Sequence, residues 1–363
     1  MTRYGLIGAG MMGQEHLRNI ALLPDTGASA FVEPDDAMAA KTAAMVPDAV
    51  RCGSIAELLA RDDLDALVIA SPNFRHAEQL REIAAANRPA LPILCEKPLF
   101  TDPADADDIA ALQASYGAPI WVAMEYRYMP PIARFRELVD AATGGIRMLT
   151  IREHRFPFLV KVGDWNRFNR NSGGTLVEKC CHFFDLMRLI LQDEPVRVMA
   201  SGGQMVNHLD EVYDGQTSDI WDGAYVIVDF RRGARAMLEL CMFAEGSEYQ
   251  EEISAVGPLG KVECKVPGPV RFWNTDLGPA PVPKVIVSPR HPTGPVVHET
   301  PVDQTLLTAG DHHGSTFYQH VQFLRMVRGE RAPEVTLADG AAAVRMGMAA
   351  QDSARTGKAV ALE

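Results

Sequence analysis

Residues 4–13, Tyr-Gly-Leu-Ile-Gly-Ala-Gly-Met-Met-Gly, decide the fold of this chain. The apolar run at residues 4–7 is typical of a buried strand, and Met12–Leu23 has a helical pattern. The glycines between them have the spacing G-x-G-x-x-G. Gly8 permits a tight turn, Gly10 lets a diphosphate approach the backbone, and Gly13 lets the helix pack on the strand. The stretch therefore predicts a dinucleotide-binding turn, with the diphosphate at the helix N-terminus.

An acidic residue in the right place strengthens this prediction. Glu33 ends the second predicted strand, Ala28–Val32, and lies 23 residues beyond Gly10. A carboxylate at this position binds the ribose hydroxyls of adenosine and repels the 2′-phosphate of NADP. No arginine follows it immediately. We therefore expect NAD as the cofactor and regard NADP as disfavoured.

The first 125 residues continue to alternate apolar runs with helical patterns. Further strands are predicted at Ala66–Ala70, Ile93–Cys95 and Ile120–Met124, and helices at Asp35–Met45, from Asn73 to Ala86, and Asp102–Ser115. Continuous apolar strands that alternate with helices indicate a parallel sheet covered on both faces. Residues 1–125 are thus predicted to form a doubly wound Rossmann domain.

The pattern changes after Pro130-Pro131. Strands are predicted at Ile146–Phe156, Val196–Ser201, Ala224–Phe230, Ala234–Phe243, Glu252–Val256 and Lys261–Val266, several of them joined by tight turns. This is typical of a large, mostly antiparallel sheet, so a second, α+β domain is expected over residues 126–335. One long helix, Thr175–Leu191, interrupts it, and the proline-rich residues 267–300 are interpreted as an excursion or lid. Helices at Ser315–Arg328 and Ala338–Ser353 close the chain, and residues 336–363 are expected to pack back on the first domain.

Composition limits the classes of function. The chain has 363 residues, 47% of them hydrophobic and 23% charged, which is ordinary for a globular protein. Its net charge of −12 argues against a nucleic-acid or anionic membrane surface. There is no transmembrane-length apolar window, no convincing signal peptide and no CxxC pair among the six cysteines. We expect a cytoplasmic protein with reduced thiols.

Two groups of residues suggest acid–base chemistry. Lys97 follows a predicted parallel strand, where ligands bind, although a lone lysine there is more often a plain surface residue. Glu178, His182 and Asp185 are spaced to share one face of the long helix. That face is either a catalytic site or a buried polar triad, and spacing alone does not separate the two. Cys180 beside His182 suggests zinc, but adjacent helical cysteines point about 100° apart, so packed thiols are the better interpretation and no metal is predicted.

Taken together, these motifs resemble a known family. The glycine motif is followed by Ser-Pro-Asn-x-x-His at residues 71–76 and Glu-Lys-Pro at residues 96–98. Next come Gly-Gly-x-Leu-x-acid-x-x-x-His-x-x-Asp at residues 173–185 and the ending Ser-Ala-Arg-Thr-Gly-Lys at residues 353–358. Their order over nearly the whole chain is similar to that of the glucose–fructose oxidoreductase/inositol dehydrogenase (Gfo/Idh/MocA) family.

The resemblance implies an N-terminal Rossmann domain and, over residues 126–335, a domain for substrate binding and oligomerisation with an open antiparallel sheet. It also implies hydride transfer between NAD or NADP and a secondary alcohol of a sugar or polyol. Lys97 matches the lysine that contacts the reacting hydroxyl and the nicotinamide ribose, and His182 matches the general acid–base. Glu178 stands where the family usually has a substrate-positioning Asp, which together with Lys179 and Cys180 marks a subgroup and leaves substrate placement open. The cofactor residues expected from the motif and the resemblance are Gly8, Gly10, Met11, Met12, Gly13, Glu33, Ser71, Pro72, Asn73, His76, Glu96 and Lys97.

The chemistry suits these residue types. A histidine has a pKa suited to taking the alcohol proton, a lysine can stabilise the developing alkoxide, and a carboxylate can hold neighbouring hydroxyls. Arg127, Trp165 and His313 are further candidates for binding the substrate, although each by itself is as often a core residue.

The leading hypothesis is therefore an NAD-dependent dehydrogenase that forms a keto product from an inositol- or pyranose-type substrate. One alternative keeps NAD tightly bound for transient oxidation and elimination, as in glycosidase- or lyase-like enzymes. Another is a non-catalytic NAD-sensing regulator. A homodimer or homotetramer formed through the open sheet is also expected, because large apolar patches seldom stay exposed on monomers.

Overall fold

The computed structural model describes residues 1–362 of the chain. The strands are β1 Thr2–Ile7, β2 Thr26–Val32, β3 Val50–Cys52, β4 Ala66–Ile69, β5 Ile93–Cys95, β6 Ile120–Val122, β7 Met148–His154, β8 Pro195–Gly203, β9 Val212–Tyr213, β10 Gln216–Thr217, β11 Gly223–Phe230, β12 Arg235–Cys241, β13 Glu251–Val256, β14 Gly260–Val266, β15 Lys284–Pro289, β16 Val296–Glu299 and β17 Val360–Ala361. The α-helices are α1 Met11–Ile20, α2 Asp36–Met45, α3 Ile55–Leu59, α4 His76–Ala85, α5 Ala106–Ser115, α6 Pro130–Thr143, α7 Asn169–Ser172, α8 Thr175–Glu178, α9 Cys181–Leu191, α10 Gln304–Ala309, α11 Ser315–Val327 and α12 Leu337–Thr356.

The first sheet has six parallel strands in the order β3-β2-β1-β4-β5-β6. Its central strands are buried on both faces, as the continuous apolar run at residues 66–69 predicts. The strand order reverses between β1 and β4, so the loops that follow these two strands leave in opposite directions. This is where a doubly wound sheet opens a crevice for a ligand. The predicted parallel fold is confirmed, and β3 is a strand that the sequence patterns do not predict.

The second sheet has nine strands in the order β16-β15-β14-β13-β7-β12-β11-β8-β17. All neighbours are antiparallel except β7 and β12, which run parallel. Strands such as β12 alternate buried and more exposed side chains, because only one face is covered by helices. The open face carries exposed Met148, Tyr225 and Ile227. The predicted, mostly antiparallel sheet is therefore confirmed.

The proline-rich residues 267–300 differ from the prediction. Part of this segment forms β15 and β16, which extend the second sheet at one edge rather than standing apart as an excursion. Val285 is fully buried opposite Cys264 and anchors β15 in the sheet. Prolines lie mainly outside the paired residues, at the places where the lost N–H group does not break the ladder.

The long helix predicted at Thr175–Leu191 is also different. It is interrupted after Glu178, and α9 begins only at Cys181. The preceding Gly174 has a φ of 89°, which orients the short helix α8 separately. Glu178 therefore ends α8, whereas His182 and Asp185 both belong to α9.

Helix α12 connects the two sheets. It packs against β6 and α5 of the first domain and against β8 and α9 of the second. Its Gly347 lies so close to α8 that a Cβ atom would be 2.5 Å from the carbonyl oxygen of Leu176. The glycine therefore sets the distance between α12 and α8. None of the helices within residues 1–362 combines the length and apolar character needed to cross a lipid bilayer.

Replacing Gly347 with Ala tests this packing. Alanine is the better helix former by about 1 kcal/mol, yet its methyl group collides with backbone atoms that have no room to move. We expect Gly347→Ala to lower the free energy of unfolding by about 1–3 kcal/mol, measured by urea denaturation. Gly246→Ala is the matched control, since nothing lies within 4 Å of a Cβ at that position. Equal stability of the two variants would contradict close α8–α12 contact.

Candidate active site

A crevice of about 1220 Å³ lies beyond the carboxyl ends of β1, β4 and β5. One wall is the glycine turn, and the opposite wall is the loop at residues 155–168 that follows β7. The predicted residues that line it are Gly8, Gly10, Met11, Met12, Glu33, Ser71, Pro72, Asn73, Glu96, Lys97, Trp165 and Glu178. The topology thus brings residues from both domains to one cavity.

The glycine turn fits a dinucleotide diphosphate. Gly8 has a φ of 87°, and a Cβ there would be 2.5 Å from the backbone nitrogen of Ser71. A Cβ on Gly13 would be 2.3 Å from the carbonyl oxygen of Gly8, so this glycine permits helix–strand contact and does not line the crevice. Nothing lies within 4 Å of a Cβ on Gly10, which leaves the space that a diphosphate would occupy. The amide of Asn73 adds a buried donor, Nδ2, that has no protein acceptor.

Glu33 is held in place by backbone donors. One of its carboxylate oxygens accepts from the N–H of Ala9 at 2.7 Å, and the other accepts from the N–H of Asp35 at 2.9 Å. The carboxylate is thereby oriented in the crevice with further lone pairs for ribose hydroxyls. Arg51 also lines this end and donates to the Glu33 carbonyl at 2.8 Å while pairing with Asp36 at 2.8 Å. Arg51 belongs to β3, which the sequence patterns do not predict.

His76 supports the loop above the crevice but does not line it. Its two ring nitrogens lie 2.8 Å from the Pro98 carbonyl and 3.0 Å from the Ser71 carbonyl. The ring can donate to one carbonyl at a time unless it is protonated, and burial lowers its pKa. His76 therefore joins the turn after β4 to the turn after β5.

Lys97 and Glu178 meet at the other end of the crevice. The Lys97 ammonium donates to the carbonyl oxygen of Glu178 at 3.1 Å. The Glu178 side chain is buried, and its Oε2 atom has no hydrogen-bond partner. Burial raises the pKa of Glu178, opposed by the charges of Lys97 and Lys161. An unpartnered carboxyl group beside a lysine can accept hydroxyl groups of a ligand.

Glu96 anchors Lys97 from below. Its Oε2 accepts from the Lys97 backbone N–H at 3.1 Å, and its Oε1 lies 3.0 Å from His16 Nε2. Although burial opposes ionisation, the bond with His16 lowers the pKa of Glu96. His16 in turn contacts His320 Nε2 at 2.8 Å. The buried contacts from Glu96 through His16 to His320 therefore fix the turn after β5, from which the Lys97 side chain extends.

His182 lies beside this end but does not line the crevice. Its ring stacks on Tyr126 with centroids 4.1 Å apart and planes 5° from parallel. Its Nδ1 atom is buried without a hydrogen-bond partner. Burial lowers the pKa of His182 well below its ordinary value, and the charges of Lys97 and Lys179 act in the same direction. The imidazole is therefore neutral at neutral pH.

Tyr126, Lys179 and Glu153 form a connected group next to His182. Lys179 Nζ donates to the hydroxyl oxygen of Tyr126 at 2.6 Å and lies 2.8 Å from Glu153 Oε1. All are buried, and burial lowers the pKa of Lys179. Lys179 has a signal in the sequence, as an extra cation beside the acid, and Tyr126 follows the last predicted strand of the first domain. The contact with Glu153 brings together β7 and the residue that interrupts the predicted helix.

Two of the residues predicted to bind substrate instead bond to other groups of the protein. The Arg127 guanidinium forms a buried bidentate pair with Asp185 and also donates to the Glu334 carbonyl at 3.0 Å. His313 is buried, with Nε2 2.8 Å from the Pro267 carbonyl. Neither side chain lines the crevice, so the prediction that they bind substrate is not supported. Trp165 does line it, in edge-to-face contact with Phe74.

One buried cluster has the composition of a metal site. Glu15, Glu125 and His312 offer ligand atoms within 4.8 Å of one another. His312 Nδ1 lies 3.2 Å from each carboxylate. Burial opposes protonation, but the carboxylates outweigh it and raise the pKa of His312 to about 9. A protonated His312 therefore serves as the counterion of the two carboxylates.

Cys180 and Cys181 are buried thiols, as the sequence interpretation expects.

The fold and these motifs can now be compared with known proteins. Residues 2–124 match the oxidoreductase family's NAD-binding Rossmann fold, and residues 136–362 match its C-terminal alpha/beta domain. Inositol 2-dehydrogenase of Rhizobium meliloti is 28% identical over 270 residues, which cover 74% of this chain and 77% of that protein. The uncharacterized oxidoreductase YrbE of Bacillus subtilis is 27% identical over 70% of this chain and 71% of its own.

Solved structures agree on the fold. GenD2 from gentamicin A biosynthesis, in complex with NAD, superposes with a TM-score of 0.79 and 22% identity over 100% of this chain and 96% of that chain. A myo-inositol dehydrogenase from Corynebacterium glutamicum superposes with a TM-score of 0.75 and 22% identity, over 100% and 99% of the two chains. The chain belongs to the Gfo/Idh/MocA oxidoreductase family, and its N-terminal domain is an NAD-binding Rossmann domain.

Proposed function

We propose that this NAD-dependent oxidoreductase oxidises a secondary alcohol of a cyclic polyol or sugar to a ketone. The observation that carries the proposal is the meeting of Lys97 and Glu178 at one end of the NAD crevice, with a neutral histidine beside them. Relatives named inositol 2-dehydrogenase support a polyol or sugar substrate. Unpartnered polar atoms such as Glu178 Oε2 suit a ligand that is rich in hydroxyl groups.

The three side chains divide the work. NAD held by the glycine turn and Glu33 would supply the acceptor for the hydride. The His182 imidazole takes the proton that leaves the hydroxyl oxygen, for which its neutral state is required. The Lys97 ammonium stabilises the developing alkoxide, and Glu178 Oε2 accepts a neighbouring hydroxyl and orients the ring. Tyr126 and Lys179 act as positioning residues, since they hold His182 and keep it neutral.

Loss of the proposed base should abolish turnover without loss of NAD. The wild-type protein is expected to form NADH from NAD and at least one member of a panel of inositols and aldoses. His182→Asn should lower kcat by about 10²–10⁴-fold, because the alcohol proton then has no acceptor. NAD affinity should not change, since the His182 ring stacks on Tyr126 and contacts neither the glycine turn nor Glu33.

His291→Asn is the control because that histidine is exposed. A His182→Asn variant with near-native kcat would refute the assignment of the base. Turnover of glycosides without added NAD and without NADH accumulation would instead support transient oxidation by a retained cofactor.

The pH profile should report the charges around His182. Because burial and nearby cations disfavour the imidazolium, the acid limb of kcat/KM is expected below pH 6.5, the ordinary pKa of histidine. Lys179→Met removes a cation, raises the pKa of His182 and should move this limb to higher pH. Lys261→Met, on the open sheet beside Glu263, should leave the limb in place. An identical acid limb in all three proteins would contradict the assigned base or the effect of Lys179.

Cofactor selectivity should depend on Glu33. Glu33→Gln removes the charge that binds the adenosine ribose and repels a 2′-phosphate, so the Kd for NAD should rise about tenfold. The preference for NAD over NADP should narrow, as measured by calorimetric titration with both cofactors. Glu78→Gln, which changes a surface carboxylate on α4, should bind both cofactors like the wild type. Unchanged selectivity in Glu33→Gln would show that another group excludes NADP.

A further inference from the structure

Lys161 is a charged residue in the crevice that the proposed chemistry does not use. It lies on the loop at residues 155–168, lines the crevice and is only partly exposed. Its ammonium group has Met11 Sδ at 3.9 Å as a neighbour and takes part in no ion pair within residues 1–362. A partly covered lysine without a counterion is costly, so a ligand that supplies the negative charge would stabilise it.

Most other cations near Lys161 have a partner within the protein. Lys97 also lacks an ion pair, because its partner is the Glu178 carbonyl oxygen rather than a carboxylate. The other cations nearby are already used: Lys179 pairs with Glu153, and Arg167 pairs with Glu211. Two carboxyl groups, those of Glu96 and Glu178, line the crevice with the two lysines. Glu96 is already paired with His16 at 3.0 Å, whereas Glu178 Oε2 has no partner and burial disfavours the ionisation of this group.

A cofactor phosphate is one anion that could approach Lys161, because Met11 begins helix α1. The diphosphate, however, is already provided for by the open space at Gly10 and the N-terminus of α1. Lys161 lines the crevice together with Lys97 and Glu178, and the charges that act on its pKa after burial are those of Glu178, Lys97, Glu96 and Arg155. The position of Lys161 therefore favours a charge on the substrate.

We propose that the substrate is an acidic polyol or sugar whose carboxylate or phosphate group binds Lys161 while its reacting hydroxyl lies at Lys97. The inference rests on the proposed dehydrogenase function and narrows its substrate class. Both lysines line the same crevice, Lys97 from the turn after β5 and Lys161 from the loop after β7. A carboxylate and a phosphate share the chemistry that a lysine ammonium recognises, and the test separates them.

Matched pairs of ligands provide that test. D-glucose is compared with D-glucuronate and with D-glucose 6-phosphate, D-galactose with D-galacturonate, and myo-inositol with its 1-phosphate. For each pair, NADH formation gives kcat/KM, and calorimetric titration of the protein–NADH complex gives the Kd. We expect at least one acidic member to exceed its neutral counterpart by about 10- to 100-fold, the range for one charged hydrogen bond. The preferred pair identifies the acid as carboxylate or phosphate.

Lys161→Met should remove this preference and leave values for the neutral members and the Kd for NAD unchanged. Lys41→Met is the matched control, because it removes another lysine that lines the crevice, near Glu33, and should keep the preference for the acid. The inference is overturned if no acidic member exceeds its neutral counterpart in either assay. It is also overturned if Lys161→Met weakens NAD binding and affects both members of a pair equally, since the lysine then serves the cofactor diphosphate.

The binding assay separates this inference from the proposed function. If an acidic member binds in a Lys161-dependent manner but no ligand gives NADH, the anion site stands and the dehydrogenase proposal fails. If only neutral members give NADH, the dehydrogenase proposal stands and the inference fails.

Discussion

The close contact between α8 and α12 is the constraint on which the site depends. Gln351 of α12 occupies the space beside Gly174, where a Cβ atom would lie 1.9 Å from Gln351 Oε1. The same side chain donates to the Gly173 carbonyl at 3.0 Å and accepts from the Leu176 N–H at 3.3 Å. These bonds fix the start of α8, and hence the position of the Glu178 carbonyl that receives the Lys97 ammonium. A helix near the chain end thus holds a residue of the proposed reaction site.

Buried histidines in this protein show how neighbours decide charge. His312 lies between the carboxylates of Glu15 and Glu125, which offset the cost of burying an imidazolium. His182 is equally buried, but the charges that act on it most strongly, Lys97 and Lys179, are positive. One ring is therefore protonated and the other neutral within a single junction between domains. The difference assigns a structural role to the first and suits the second to accepting a proton.

Local patterns predicted much of the fold. The glycine motif and Glu33 depend on a strand, a turn and a helix that adjoin in the chain, so their geometry follows from nearby residues. The same holds for the apolar strands of both sheets. The elements that local patterns did not predict correctly are those stabilised by residues distant in the sequence. Strands β15 and β16 add to an existing edge, and α8, which ends at Glu178, is held at its start by Gln351 of the distant helix α12.

The sequence by itself determined the family and the NAD-binding turn, and it predicted Lys97, Glu178 and His182 as reaction residues, because short motifs carry that information. Only the tertiary structure decided which polar residues face the ligand. Arg127 and His313 are directed into the protein by Asp185 and by the Pro267 carbonyl, whereas Lys161 reaches the crevice from a loop with no motif. The physical reason is that a buried polar side chain is oriented by the group that forms its hydrogen bond or ion pair. In this fold those groups are separated by tens to hundreds of residues in sequence.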